Sequence, residues 1–303
     1  MSDFLRLLNK YEKFIPDFDN FLKHLYHPLP TYFRINTIKI DIHSAKEYLL
    51  NEGVEFSETK LPEVIKVINL DKDKSLLSYY LGYIYPQTIS SCIPVIALSP
   101  KQDETILDLC AAPGGKTTYI AQLMNDNGLI IANDRKKRRI TALLSNVKRL
   151  GITNTIVIQG RGEHLMLPIK FDKVLVDAPC SGQGKYRIDP ISGRVKHMNL
   201  GKTNLSAIQK ALIKKGFDML RPGGTLVYST CTLNIEENEE VVDHLLKKRE
   251  GKLQAFDINL PSCNGITSFG DKRYDDSIKL CKRFYPHQLD SVGFFVAKII
   301  KKP

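Results

Sequence analysis

The 303-residue chain predicts an α/β fold: a doubly wound, mostly parallel sheet closed by an antiparallel hairpin, with a small α+β module ahead of it. Three observations predict it. From residue 104 onward, short apolar runs alternate with helix-length segments, as in successive βαβ units. The first run, "ETILDLCA", delivers the small-residue turn of "CAAPGGKT" into a helix start. Pro100, followed by Lys-Gln-Asp, punctuates the chain just before the alternation begins.

Residues 1–100 are the first predicted domain and residues 101–303 the second. In the first, Phe4, Leu7, Leu8, Tyr11 and Phe14 recur at helical spacing. "TYFRINTIKI" has the β-branched and aromatic content of a strand, and "IHSAKEYLLNEG" follows as a helix. "LGYIYPQTISSCIPVIAL" predicts a helix packed on what comes next. The strands of the second domain are "TILDLCA", "GLIIAND", "TIVIQG", "KVLVDAP" and "GTLVYST". Its helices start at Lys116, cover "KKRRITALLSNVKRLG" and lie near 204–220. "GFFVAKIIKK", after the turn-rich "PHQLDSVG", predicts a late hairpin at one sheet edge.

Composition narrows the function. An apolar content of 43% supports ordinary cores. No apolar run approaches the roughly 18 residues of a membrane span, and the N-terminal stretch carries acids among its apolar positions, unlike a signal peptide. A cytoplasmic protein with no membrane partner is expected. Six cysteines without a CxxC pair argue against a zinc site and against a secreted disulfide framework, so no metal is expected. Residues 1–100 carry 11 lysines and arginines against 12 acids, whereas residues 101–303 carry 33 against 21. A basic excess of that size in the second domain favours a polyanion, nucleic acid above all, as partner.

"CAAPGGKT" resembles the tail of a phosphate-binding loop, but the position five before Gly115, where that loop needs glycine, is Cys110. What remains is a strand, a turn and a helix start, with Gly114 and Gly115 allowing close backbone approach to a ligand. Asp134, at the end of "GLIIAND", stands where a ribose would be gripped in either a dinucleotide or an S-adenosylmethionine site. It could equally cap the helix that follows. Two adjacent glycines do not make the G-x-G-x-x-G that pyrophosphate needs, which favours a cofactor without phosphates.

Two strands end in cysteine. "KVLVDAPC" brings Asp177 and Cys180 to the carboxyl edge, and "GTLVYSTC" brings Cys231 there. A redox pair is conceivable, but the two thiols come from different strands and lack CxxC spacing. Beside a methyl donor, a thiol has a specific use. A thiolate adding to carbon 6 of cytosine makes carbon 5 nucleophilic, and a carboxyl group such as Asp177 at ring nitrogen 3 stabilises the adduct.

"DLCAAPGGKT", "DAPCSGQG", "RPGGTLVYSTCTLNIEENE" and "GFFVAKI", with "FRINTIK" and "GYIYPQTISS" in the first domain, resemble the RNA cytosine-5 methyltransferase family of the Sun and nucleolar-protein type. The resemblance implies a Rossmann-like S-adenosylmethionine-dependent methyltransferase fold and an RNA substrate. Transfer RNA comes first and ribosomal RNA second, with no obligate protein partner. It implies Cys231 as nucleophile and Cys180 as the cysteine that helps release product. This order is opposite to DNA cytosine-5 methyltransferases, where the Pro-Cys cysteine attacks. Asp177 would touch cytosine and the methionine end of the cofactor, and Lys116 would face the base. Cys110, Ala111, Ala112, Pro113, Gly114, Gly115 and Lys116 would wrap the cofactor, Asp134 would hold its ribose and Arg139 would lie nearby.

One position departs from the pattern. Arg161 stands where the family has an acid that receives the adenine amino group, which predicts weak cofactor binding and leaves room for a non-catalytic RNA-binding factor on the same fold. Asn234 and Glu237 have capping-box spacing and read as helix stability, while Asn238 and Glu239 match the family's "ENE". Arg187 and Pro190 match a loop bordering the RNA site, and His287 reads as packing.

Overall fold

The computed structural model describes residues 8–71, 75–196 and 205–303. Phe4 and Leu7 of the expected N-terminal helix, and residue 204 of the later one, lie outside the described residues.

The first region builds a four-stranded antiparallel sheet from β1 (Tyr32–Ile35), β2 (Glu55–Glu58), β3 (Val64–Asn69) and β4 (Ile84–Pro86), in the order β2-β3-β1-β4. The helix Ile42–Asn51 begins where Asp41 accepts the Ser44 N–H at 2.9 Å. Phe33, Ile35, Leu49, Ile65 and Ile84 form this module's own core. The single helix expected over "LGYIYPQTISSCIPVIAL" is instead two elements, β4 and the helix Ile89–Leu98. Pro86 accounts for the break: it has no N–H for a helix, and it pushes Tyr85 into extended backbone.

The second region holds β5 (Thr105–Asp108), β6 (Leu129–Asp134), β7 (Thr155–Gln159) and β8 (Phe171–Asp177). A short pair, β9 (Arg187–Ile188) and β10 (Val195–Lys196), precedes the long β11 (Leu220–Thr230). After it come β12 (Gly251–Leu253), β13 (Cys263–Asn264), the small hairpin β14 (Ser268–Phe269) and β15 (Lys272–Arg273), then β16 (Lys282–Phe284) and β17 (Phe294–Lys301). The main sheet runs β13-β16-β17-β11-β8-β5-β6-β7, with β12 also on β17. β11, β8, β5, β6 and β7 are parallel, and β17 is antiparallel to β11. The late hairpin, β16 and β17, therefore exists, but β13 extends the sheet beyond it, so it is not the edge.

Side chains of these strands alternate between two cores. Leu107, Val174, Val176, Leu226, Tyr228 and Phe295 face one, with the helix Leu205–Asp218. Ile106, Ile130, Leu175, Val227 and Val296 face the other, with the helices Ile89–Leu98, Gly115–Leu123 and Lys137–Arg149. Both faces are covered, which is why the strands read as continuous apolar runs. Leu8, Tyr11, Ile15, Phe21 and Leu25 join the first core, and the helix Ile89–Leu98 the second, so the N-terminal region is stitched to both faces. The chain leaves β5 toward β6 on one side and later occupies β8 on the other. The carboxyl ends of β5 and β8 thus flank a topological switch point, where open α/β sheets bind ligands.

Candidate active site

At that switch point lies a cavity of about 190 Å³, lined on one side by Asp108, Cys110, Ala111, Ala112, Pro113, Gly115, Lys116 and Asp177, and on the other by Tyr85, Pro86, Gln87, Thr88 and Ser91. Gly114 turns the chain from β5 into the helix Gly115–Leu123 with φ +108°, and a Cβ there would meet Leu143 Cδ1 at 2.9 Å. Both conformation and crowding demand glycine. Among the described residues no side chain caps this helix, and its first residues, Gly115 and Lys116, line the cavity.

Lys116 and Asp177 meet across the switch point, Nζ to Oδ2 at 2.8 Å. Ser91 Oγ accepts a second Lys116 hydrogen bond at 3.0 Å, and Ser229 Oγ donates to Asp177 Oδ1 at 2.8 Å. Burial works against the Lys116 ammonium, but Asp177 beside it prevails and holds its pKa above the usual lysine range. Burial pushes the Asp108 carboxyl up to about 7; Thr117 bonds its Oδ2 at 2.7 Å, and its buried Oδ1 has no hydrogen-bond partner among the described residues.

The two cysteines, 51 residues apart, come within 3.2 Å, Sγ to Sγ. The Cys180 thiol donating to Cys231 is the main cause that lowers the Cys231 pKa to about 7; burial opposes it, while Lys185 and Lys116 assist. The same hydrogen bond and burial push Cys180 well above the ordinary thiol range. Of the two thiols, Cys231 is therefore the one that ionises more readily and Cys180 the one that holds its proton.

Neighbouring segments fix each sulfur. Glu237 is 3% exposed and accepts from the Ser181 N–H at 2.9 Å, Ser181 Oγ at 2.5 Å and Gln209 Nε2 at 2.8 Å. Gln209 Nε2 also reaches the Pro179 carbonyl at 2.8 Å, so these contacts bracket Cys180. Asn238 brackets Cys231, accepting from Thr230 Oγ1 at 2.5 Å and donating to the Thr232 carbonyl at 2.9 Å. Gly184 donates to the Cys231 carbonyl at 3.0 Å and abuts Gly293, where a Cβ on Gly184 would lie 2.2 Å from the Gly293 oxygen. Asn234 caps the short helix Ile235–Glu237 and donates from Nδ2 to Glu237 Oε1 at 3.2 Å, so the pairing that the spacing suggested exists, but the Glu237 carboxylate also reaches Ser181 and Gln209. Sequence reasoning missed its role because helix-cap spacing and this tertiary contact share one pattern. Glu239 pairs with the buried Arg283, 2.5 Å from its Oε2.

Asp134, 3% exposed, accepts from the Ala112 N–H at 3.2 Å and the Lys136 N–H at 3.0 Å, and pairs with Arg139 at 3.1 Å. Arg139 also donates to the Ala112 carbonyl, so both residues tie the loop after β5 to the end of β6. Arg161 pairs with Glu163 at 2.8 Å. Arg187 is buried against the Tyr186 and Ser291 carbonyls at 2.7 and 3.2 Å. His287 contacts the Pro16 carbonyl at 2.7 Å and the edge of Phe21, consistent with packing.

The parallel sheet, its antiparallel end and a donor-lined pocket at the switch point define an S-adenosylmethionine-dependent methyltransferase. Residues 95–300 match the model of the 16S rRNA methyltransferase RsmB/F family, and the chain belongs to that family. It is 38% identical to a tRNA (cytosine(49)-C(5))-methyltransferase of Pyrococcus abyssi, over 98% of this chain and 96% of that protein. It is also 38% identical to a human 28S rRNA (cytosine(4447)-C(5))-methyltransferase, over 90% of this chain but only 34% of the longer human protein. A methyltransferase homolog from Pyrococcus horikoshii superposes with a TM-score of 0.81 at 34% identity, covering 93% of this chain and 90% of that one. NSun6 from the same organism, solved with SFG, superposes with 0.77 at 29% identity, covering 94% of each. Among the described residues no helix is long and apolar enough to cross a membrane.

Proposed function

We propose that this chain transfers a methyl group from S-adenosylmethionine to carbon 5 of a cytosine in RNA through a covalent adduct on Cys231. The observation that carries the reading is the contact between Cys231 and Cys180 at 3.2 Å, which brings two thiols together at the sheet edge beside Asp177 and Lys116. Cys231 adds to carbon 6 of a cytosine drawn out of its stack, forming the C–S bond and making carbon 5 electron-rich. The negative charge that addition places on the ring is taken up by a proton at nitrogen 3, passed through Asp177 from the Lys116 ammonium and returned by the same path at the end, while Ser229 orders the other Asp177 oxygen. The cofactor supplies the electrophilic methyl group. Water then takes the carbon 5 proton, the freed electron pair forms the carbon 5–carbon 6 double bond as the C–S bond breaks, and the Cys180 thiol donates a hydrogen bond to the departing Cys231 thiolate. Cys110 to Lys116, Asp134 and Arg139 form the cofactor's seat. The fit is supported by the uncapped helix start, the orphan oxygen of Asp108 and the buried acid at the end of β6.

Transfer RNA is the proposed substrate, because the archaeal relative named for transfer RNA matches this chain over nearly its full length. Ribosomal RNA is the second reading, favoured by the name of the matched family and of the human relative. The proposed setting is the cytoplasm. The test is methyl transfer from labelled S-adenosylmethionine to bulk transfer RNA and to ribosomal RNA, with wild type, Cys231→Ala and Cys180→Ala. Label on cytosine in transfer RNA, loss in Cys231→Ala and a trapped protein–RNA adduct in Cys180→Ala are expected. Equal labelling by Cys231→Ala would remove the covalent mechanism, and label in ribosomal RNA alone would reassign the substrate.

A further inference from the structure

The second wall of the 190 Å³ cavity contains an unpaired donor that the chemistry above does not use. Gln87 lines this wall and is 6% exposed. Its Oε1 accepts from Arg34 Nε at 2.8 Å. A guanidinium can only donate, so the amide is held with its oxygen toward Arg34 and its nitrogen turned away. That nitrogen, Nε2, is buried and without a hydrogen-bond partner among the described residues. A buried donor left unmade is costly unless a ligand completes it.

Arg34 is itself immobile. It is 0% exposed, donates to Gln122 Oε1 and to Thr118 Oγ1, the latter at 2.8 Å, and lies over the rings of Tyr85 and Tyr119 at 5.7 and 4.9 Å. The amide therefore has one orientation rather than two. Its Cδ is 3.6 Å from where a Cβ on Gly115 would stand, so the group sits over the first turn of the helix Gly115–Leu123. That nine-residue helix has no side-chain cap, and its N-terminal end favours negative charge. A wall residue with an orphan amide donor stands beside an uncapped helix start in one small space, and the chemical complement of the two is a carboxylate. Neither Cys180 nor Cys231 lines this cavity, which places it on the cofactor's side of the Lys116–Asp177 pair rather than beside the reacting base.

We infer that Gln87 Nε2 donates to the α-carboxylate of S-adenosylmethionine, with Arg34 as the positioning residue that fixes the amide. The inference rests on the proposed seating of the cofactor along Cys110–Lys116. The device links the first region to the cofactor site, since Arg34 lies on β1 and Gln87 just after β4.

Calorimetric binding of two ligands tests it: S-adenosylhomocysteine, which has the α-carboxylate, and 5′-methylthioadenosine, which lacks the whole amino-acid chain. Gln87→Glu keeps the shape and the Arg34 contact but presents an acceptor with negative charge. It is expected to weaken S-adenosylhomocysteine by about tenfold or more, the scale of a hydrogen bond to a charged group. It leaves 5′-methylthioadenosine within about twofold on the same scale. Gln87→Met, which removes the donor without adding charge, shows the same selectivity. Equal loss for both ligands, no loss for either, or a loss confined to RNA binding would each overturn the assignment. Asp134→Asn checks the seating separately: weakening of both ligands supports it, and no change in either shows that the cofactor lies elsewhere.

Discussion

The strands β5, β8 and β11 carry ion pairs at both of their ends, Lys116–Asp177 at the carboxyl end and Lys173–Glu104 at the amino end, but the two ends differ in what surrounds those pairs. At the amino end the charges close on one another. Lys173 pairs with Glu104 at 2.9 Å, Glu104 Oε2 accepts the Lys101 N–H at 2.8 Å, and Arg221 pairs with Asp172 at 2.5 Å while Asp172 Oδ2 takes the Thr105 N–H at 2.8 Å. The cavity there, about 490 Å³, is the larger of the two. At the carboxyl end the cavity is smaller, yet it gathers an orphan oxygen on Asp108, an orphan amide on Gln87 and a pair of thiols next door. What sets the carboxyl end apart from the amino end is not volume but the convergence of such groups with an uncapped helix start and two thiols.

The sharpest way to break this contrast is to neutralise one carboxylate at the carboxyl end. Asp177→Asn keeps the size of the side chain but removes the charge opposite Lys116 and the acid proposed at the ring nitrogen. Methyl transfer under single-turnover conditions is expected to fall by about a hundredfold or more, as when an electrostatic stabiliser is lost. A rate within a few-fold of wild type would place the chemistry elsewhere.

Next in size is the thiol pair. Cys231 ionises near pH 7 because Cys180 donates to it. Its alkylation by iodoacetamide, followed by peptide mass spectrometry, should therefore rise as pH increases through about 7 in the wild type. In Cys180→Ala the donor is gone, the thiolate loses its main support and the midpoint moves up. An unmoved midpoint would mean that Lys185 and Lys116, not the second cysteine, set the ionisation.

The amino end makes the opposite forecast. Glu104→Gln leaves Lys173, whose side chain is only 11% exposed, without its partner, and the side chain of Glu104 is 19% exposed. Stability is expected to drop by about 1–2 kcal/mol, less than for a fully buried pair, with the methyl-transfer rate unchanged. Thermal melting beside the same single-turnover assay reads both. Slowed chemistry at constant melting temperature would erase the distinction between the ends.

Much of this was legible beforehand because strands buried on both faces announce themselves as apolar runs. The small-residue turn after β5, Asp177 before Cys180, and Cys231 after β11 sit at strand ends, which the alternation of strands and helices places on one edge. Pairings set only by tertiary packing were not legible. Glu237 reads as a helix cap in sequence, and only the fold brings Ser181 and Gln209 to it. Gln87 lay in a segment read as one helix, so neither Pro86 as a breaker nor the contact with Arg34, 53 residues away, was seen. The sheet's extension beyond the hairpin escaped because β13 and β16 are two and three residues long, too short for a period to show.

A third closed pair at the carboxyl end, beside Lys116–Asp177 and Asp134–Arg139, tests how far the contrast reaches. Arg161, after β7, holds Glu163 with Nη2 at 2.8 Å and Nε at 2.9 Å. The family resemblance puts there an acid that receives the adenine amino group, and the pair instead leaves the Glu163 carboxylate committed to a guanidinium. Its commitment is partial, because the side chain of Arg161 is 61% exposed and water competes for the contact. Arg161→Asp releases Glu163 and adds a second acceptor at the strand end. Cofactor affinity is expected to tighten by about three- to tenfold, the size of one modest hydrogen bond, with no change in the thiol ionisation. Calorimetry on wild type and variant decides it: unchanged affinity would mean that the adenine never relied on this corner, and that the closed pair belongs to the scaffold like those at the opposite edge.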